Sequence, residues 1–255
     1  VSSLSREGYK SRANKTVWIF TIVYFGITIA AFLCYWLAGM DSFDAINHAF
    51  SVVSTGGFST KDLSIATYNS AAINLITMFF MLIASIHFGL IFMVFATRSL
   101  KPLNNPVLKF YVLSIVISAL LVSLSLKFQG TCFTWGQSLM TGFFHVISAI
   151  STTGFAISDN NTWPLFACII TIIITIPCGM AGSTTGGIKA DRMLLIFKTI
   201  GQQVKNVVHP SSINRLHIGN HILDKDEIYP HVVFMCLYFI TIGASVALTI
   251  MSGMD

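Results

Sequence analysis

The sequence predicts an all-α polytopic membrane protein built from repeated units of helix, re-entrant pore helix, loop and helix. Three observations carry this expectation. Of 255 residues, 54% are apolar and 10% are charged, against about 25% charged in an ordinary soluble domain; mean hydropathy is +0.75, and a water-soluble globule is excluded. Several apolar runs approach the roughly 20 helical residues needed to cross about 30 Å of hydrocarbon. The third observation is a motif that recurs at a fixed offset along the chain.

Taken in order, the candidate spans are Val17 to Ala38, Ala71 to Thr97, Val107 to Leu126, Trp163 to Ala181 and Val232 to Met251. Phe43 to Val53 and Trp135 to Ile150 are only moderately apolar, and at 11 and 16 residues they are too short to span comfortably. They read as re-entrant or interfacial helices. Placing the amino terminus, the linker Arg98 to Lys109 and the stretch Lys189 to Tyr229 on one side leaves only Lys61 and Lys127 of the 15 basic residues opposite. That side is cytoplasmic by the positive-inside rule. The outer side collects Asp41, Asp44, Asp62, Asp159 and Asp255 and attracts cations. The net charge of +5 therefore encodes topology, and no nucleic-acid partner is implied. A chain that opens at Val1 on a polar, basic stretch and stops at Asp255 after an apolar run reads as an interior fragment.

His48 to Phe58 reads HAFSVVSTGGF and His145 to Phe155 reads HVISAISTTGF, at an offset of 97, which Asp62 and Asp159 share. Tyr24-Phe25 and Gly39-Met40-Asp41 recur at Tyr238-Phe239 and Gly253-Met254-Asp255, at an offset of 214. Three segments follow: a pore unit at 1–98, a second with a broken, glycine-rich inner helix at 99–205, and a linker with the outer helix of a further unit at 206–255.

Non-helical backbone at membrane depth leaves carbonyls unpaired, at several kcal/mol each, unless they line a watery cavity or bind something. A permeating cation is such a partner. Glycine lets the chain turn successive carbonyls inward, and rings of those oxygens replace the water around a potassium ion in channel filters. Each short helix ends at its loop, so its negative carboxyl end faces the same place. The candidate ion-binding residues are Thr55, Gly56, Gly57 and Phe58, with Thr152, Thr153, Gly154 and Phe155. Their expected substrate is a permeating cation such as potassium, and no cofactor is expected in this chain.

These units, the two loops and the run Gly179-Met180-Ala181-Gly182-Ser183-Thr184-Thr185-Gly186-Gly187-Ile188-Lys189 resemble bacterial potassium-uptake subunits of the Trk/Ktr superfamily, and His209-Pro210 favours the TrkH/TrkG branch. The resemblance implies four pore units in one polypeptide, of which this chain holds the second, the third and the start of the fourth. It also implies a homodimer in the bacterial inner membrane, surrounded by lipid, and a TrkA-like cytosolic ring of nucleotide-binding subunits docked on the cytoplasmic face. By the same likeness Gly179, Gly182, Ser183, Thr184, Thr185, Gly186 and Gly187 form a gate beneath the filter, with Lys189 just past it.

From the residues alone, Pro177 and the glycines weaken the helix that begins at Trp163, which leaves either a frayed helix end or a loop. A nucleotide-binding P-loop fits poorly, because the G-x-x-x-x-G-K-[ST] spacing is absent. His48 and His145 are expected to cap or pack, and His87 to sit neutral, hydrogen-bonded to a neighbouring helix. His209, His217, His221 and His231 suggest no metal site. Cys34, Cys132, Cys168, Cys178 and Cys236 read as small apolar packers. Two other classes compete with transport. One is an intramembrane hydrolase with Ser183 as nucleophile and a buried histidine as base; the other is a non-conducting scaffold packed through small residues. A duplicated histidine suits symmetry better than a single active site, and a scaffold leaves both loops without a purpose.

Overall fold

The computed structural model describes residues 3–129, 134–208, 216–218, 221–223 and 225–253. Val1–Lys189 forms one compact unit and Ala190–Asp255 another.

The first unit opens with α1 (Ser3–Leu37), whose stretch Asn14–Leu37 is long and apolar enough to cross a membrane. The chain turns at Gly39 and Met40. Asp41 then caps α2 (Ser42–Val53) by accepting a hydrogen bond from the Phe43 amide at 3.2 Å, which satisfies a donor the helix leaves orphaned. Ala45, His48, Ala49, Val52 and Val53 are buried along one face of α2, while Phe43, Ile46 and Phe50 face outward. A short 3-10 turn, Ser64–Tyr68, leads to Ser70, the cap of α3 (Ala71–Ala84). Next comes α4 (Phe88–Thr97). The second repeat is α5 (Pro106–Gln129), α6 (Trp135–Ile150) and α7 (Leu165–Ile174). Thr134 and Gln137 close a capping box at the start of α6, so this helix begins where its sequence signature says it should.

α2 packs on α1 and α3, and α6 packs on α5, α7 and α3. The α3–α6 contact joins the repeats. Inside the first repeat the Tyr35 hydroxyl bonds the Thr77 hydroxyl at 3.0 Å and ties the outer helix to the inner one.

Two expected spans are corrected. Ala71 to Thr97 is not one helix: α3 and α4 meet at 96°. Ser85 donates back to the Met81 carbonyl, competing with helix continuation, and the imidazole of His87 accepts the Gly89 amide at 2.8 Å, which starts a new helix. His87 thus hydrogen-bonds its own helix instead of a neighbouring one, and meets α1 through the edge-on Phe20 ring, with centroids 5.8 Å apart. Trp163 to Ala181 is helical only over Leu165–Ile174, so the break precedes Pro177. Among the described residues three continuous helices, together with the bent α3–α4 pair, are long and apolar enough to span.

The second unit contains α8 (Ala190–Val208), antiparallel strands β1 (Leu216–Ile218) and β2 (His221–Leu223), and α9 (Lys225–Met251). Leu216 pairs with Leu223. The hairpin is a minor element of an all-α fold, and its three-residue strands are too short for a period-two pattern to be legible. The Arg192 guanidinium lies 4.1 Å from the Phe234 ring centroid. Cys132, His209, Pro210, Met254 and Asp255 lie outside the described residues.

Candidate functional site

The two repeated loops have matching backbones. Ser54 and Ser151 end their helices at φ −77°, ψ −4° and φ −76°, ψ −4°. Positive φ then falls on every second residue: Thr55 at 53° and Gly57 at 70° in one loop, Thr152 at 54° and Gly154 at 86° in the other. In an extended chain successive carbonyls point to opposite sides, and inverting alternate residues brings them to one side. A left-handed β-branched threonine is uncommon, and strain of this kind persists only where the surroundings over-determine it. Its appearance at equivalent positions in both loops makes it a property of the repeat.

The loops lie against each other. A Cβ on Gly57 would sit 1.8 Å from the Thr153 carbonyl oxygen, so only glycine admits that approach. The Ala66 amide donates to the Ala156 carbonyl at 3.2 Å, and the Ala156 amide to the Ser64 hydroxyl at 3.3 Å. Phe155, buried, stacks on His48 with ring centroids 5.8 Å apart. The carbonyls of Thr55, Gly56, Gly57, Thr152, Thr153 and Gly154 accept no hydrogen bond from any described residue. The Phe155 carbonyl does, from the Ser148 hydroxyl at 2.7 Å.

Behind the first loop lies a polar cluster at the start of α2. The Asp44 carboxylate accepts from Thr60 at 2.6 Å and from Tyr68 at 2.8 Å, and it pairs with Lys61 at 3.1 Å. The Thr60 hydroxyl, then Tyr68 and Lys61, stabilise the ionised carboxylate and outweigh burial, holding Asp44 down at about 2. Burial, reinforced by the neighbouring carboxylate, pushes Tyr68 up to about 12. His48 Nδ1 lies 2.7 Å from the Asp44 carbonyl and Nε2 lies 2.9 Å from the Ser59 hydroxyl. Since a carbonyl only accepts, Nδ1 carries the proton and Nε2 accepts from Ser59.

The glycine-rich run from Gly179 to Lys189 is a loop that closes against both repeats. The Met180 amide donates to the Ser85 carbonyl at 2.9 Å, the Phe88 amide to the Gly182 carbonyl at 3.0 Å, and the Thr184 amide to the Ala84 carbonyl at 3.3 Å. Backbone groups freed by the α3–α4 break are thereby paired, as lipid-embedded peptide groups must be. The loop also reaches the bases of the two repeated loops. Thr55 donates to the Thr184 carbonyl at 3.1 Å, and the Gly186 amide donates to the Thr152 hydroxyl at 2.9 Å. Lys189 Nζ folds back on the Thr185 carbonyl and hydroxyl. A cavity of about 350 Å³ lies beside the loop, between Phe20, Thr21 and Tyr24 of α1 and Gly182, Ser183 and Thr184.

A family model described as the TrkH cation transport protein matches residues 5–254. The chain belongs to the TrkH family. It is 34% identical over 245 residues to the Trk system potassium uptake protein TrkH of Escherichia coli K12, covering 94% of this chain and 50% of that relative. With the TrkG protein of the same organism it shares 32% identity over 211 residues, covering 82% of this chain and 43% of TrkG. The crystal structure of the potassium transporter TrkH from Vibrio parahaemolyticus aligns with a TM-score of 0.88 at 31% identity, over 96% of this chain and 52% of that one. The chain spans about half the length of the curated relatives it matches.

Within this TrkH-family fold, the sequence-derived residues fall into one neighbourhood. The Thr55–Phe58 and Thr152–Phe155 loops adjoin, with the 179–189 run fastened to them. Phe58 and Phe155 differ sharply, at 82% and 1% exposed, although the motif is the same. Ser183 bonds the Met180 carbonyl at 2.6 Å and the Thr185 hydroxyl at 2.7 Å, neither of which is a base. Cys178 is buried, Cys34 and Cys168 are half-buried, and Cys236 is exposed on the apolar stretch Ile228–Met251. Sequence reasoning missed the roles of Asp44, Ser59, Thr60, Tyr68, Ser85 and His87. The available signals were an acid in the first turn of a re-entrant helix and a Ser-Ile-His interruption of an apolar run.

Proposed function

We propose that this chain supplies two of four loops of a pore that takes up potassium across the bacterial inner membrane. The backbone oxygens of Thr55 to Phe58 and Thr152 to Gly154 stand in for the hydration shell, whereas that of Phe155, expected among them, is taken by the Ser148 hydroxyl; the loop from Gly179 to Lys189 gates the path. The observation that carries the reading is the set of six carbonyls, at symmetric positions in two loops with alternating positive φ, that no described protein donor satisfies. The names of the relatives, Trk system potassium uptake proteins, support the same substrate.

No covalent step is needed. A membrane potential of 100 mV supplies about 2.3 kcal/mol per charge, and a tenfold gradient costs about 1.4 kcal/mol. Accumulation of roughly fifty-fold thus follows without a coupled ion, and both channel-like conduction and proton- or sodium-coupled uptake fit. Segments 1–98 and 99–205 act as successive pore units, and 206–255 leads into a further one. The amino terminus lies in the cytoplasm, where Arg6, Lys10, Arg12 and Lys15 obey the positive-inside rule. The complete transporter is a homodimer whose cytoplasmic face receives a nucleotide-binding ring that moves the gate.

Rubidium uptake by the full-length polypeptide in a potassium-uptake-deficient cell tests this reading. Uptake that saturates with rubidium, resists sodium and falls when Gly57 is enlarged is the expected result. Absence of rubidium flux from a folded, membrane-inserted protein overturns it.

A further inference from the structure

The two loops share backbone geometry but not their support. Moving 97 positions along the chain replaces Asp44 by Thr141, Ser59 by Ala156, Thr60 by Ile157, Lys61 by Ser158 and Tyr68 by Leu165, while His48 becomes His145. In the second loop His145 Nε2 meets only the Ile157 amide at 3.4 Å and the Ser158 hydroxyl at 3.1 Å. In the first, three consecutive residues leaving the loop are each held. Ser59 is fixed by His48 at 2.9 Å, Thr60 by Asp44 at 2.6 Å and Lys61 by Asp44 at 3.1 Å. Tyr68 completes the carboxylate's shell at 2.8 Å, and the Ser59 hydroxyl accepts the Lys61 amide at 3.1 Å.

Converging carbonyl oxygens repel one another. A loop that presents them stays in place only if something behind it resists the outward push, and the stiffness of that support sets how far the ring yields to a smaller ion. The Asp44 side chain is 8% exposed and sits where it can provide that resistance. It has no counterpart in the second loop.

We propose that Asp44 is a specificity-determining positioning residue that clamps the exit limb of the first filter loop through Thr60, Lys61 and Tyr68. The second loop, supported by neutral contacts alone among the described residues, is the compliant wall. This assignment rests on the potassium-filter reading above.

The test is rubidium and sodium uptake by the full-length transporter, with kinetics taken for wild type, Asp44→Asn, Thr60→Val and Tyr68→Phe. Asp44→Asn removes the charge at constant shape, so apparent KM for rubidium should rise roughly tenfold, the factor one charged hydrogen bond is worth. Preference for rubidium over sodium should drop with it. Thr60→Val and Tyr68→Phe should shift both quantities the same way by a few fold. A residue serving only assembly would lower maximal rate and protein yield while leaving KM and the ion ratio alone, and that outcome overturns the assignment. Should Asp44→Asn fail to reach the membrane, wild-type KM and ion ratio in both single-bond variants overturn it equally. Loss of rubidium flux in the wild type itself strikes the filter reading and not the clamp.

Discussion

The Thr55 hydroxyl and the Thr184 carbonyl, 129 positions apart in the chain, meet at 3.1 Å, the hydroxyl proton being shared with the Ser54 carbonyl at 2.7 Å, and the equivalent Thr152 hydroxyl accepts the Gly186 amide at 2.9 Å. The candidate gate is thus hung from the inner ends of both candidate filter loops. Its polar groups occupy the hydroxyls of the first threonine in each candidate filter loop.

Opening therefore has to break these bonds. Each is worth about 1 kcal/mol, so Thr55→Val or Thr152→Val should shift the closed-to-open balance by about fivefold, and the pair by more. The readout is the ratio of rubidium flux without the proposed cytosolic ring to flux with it, which cancels any loss of conduction common to both. An unchanged ratio in the double variant removes the proposed latch.

Gly57 and Gly154 share a motif position but not an environment. A Cβ at Gly57 meets the Thr153 oxygen at 1.8 Å, whereas a Cβ at Gly154 meets nothing within 4 Å. Gly57→Ala must displace backbone and should reduce rubidium uptake well over tenfold. Gly154→Ala bears only the left-handed penalty of about 1–2 kcal/mol and should retain most transport. Equal effects in quantitative uptake assays would show that the loops do not meet as described.

The elements written in local sequence were legible. Thr134 and Gln137 announce the start of α6, and the repeat announces both loops. What escaped depends on distant partners. Ser85 and His87 favour a break locally, but the peptide groups it exposes are satisfied by Met180, Gly182 and Thr184, nearly a hundred residues on. Asp44 read only as an outer acid, since Thr60, Lys61 and Tyr68 reach it through the fold. Phe58 and Phe155 are the same letter in the same motif, yet only Phe155 finds a histidine of the preceding repeat. Periodicity carries no information of that kind.

The depressed pKa of Asp44 gives a pH signature. Its folded value of about 2 lies below the unfolded value of about 3.9, so the carboxylate stabilises the fold fully above the unfolded value. That stability is lost as pH falls through the folded value. Thermal unfolding of purified protein should show the wild-type advantage over Asp44→Asn constant above about pH 5 and shrinking toward pH 2.5. A difference independent of pH across that window would mean that the carboxylate is not ionised in its clamp.

Gly182 and His87 give the sharpest test of the loop's seat. A Cβ on Gly182 would lie 2.7 Å from the His87 ring, and its φ is +75°. Gly182→Ala should therefore depress uptake through two separable causes, ring overlap and backbone strain. His87→Ala alone forfeits the α4 cap, about 1 kcal/mol, but in the double variant it also removes the overlap. The two substitutions should be strongly non-additive, with Gly182→Ala/His87→Ala transporting better than Gly182→Ala alone, as expected for residues in direct contact. Strict additivity of the effects on rubidium uptake would place the loop away from the α3–α4 bend, and the pairing of its amides with Ala84 and Ser85 would fall with it.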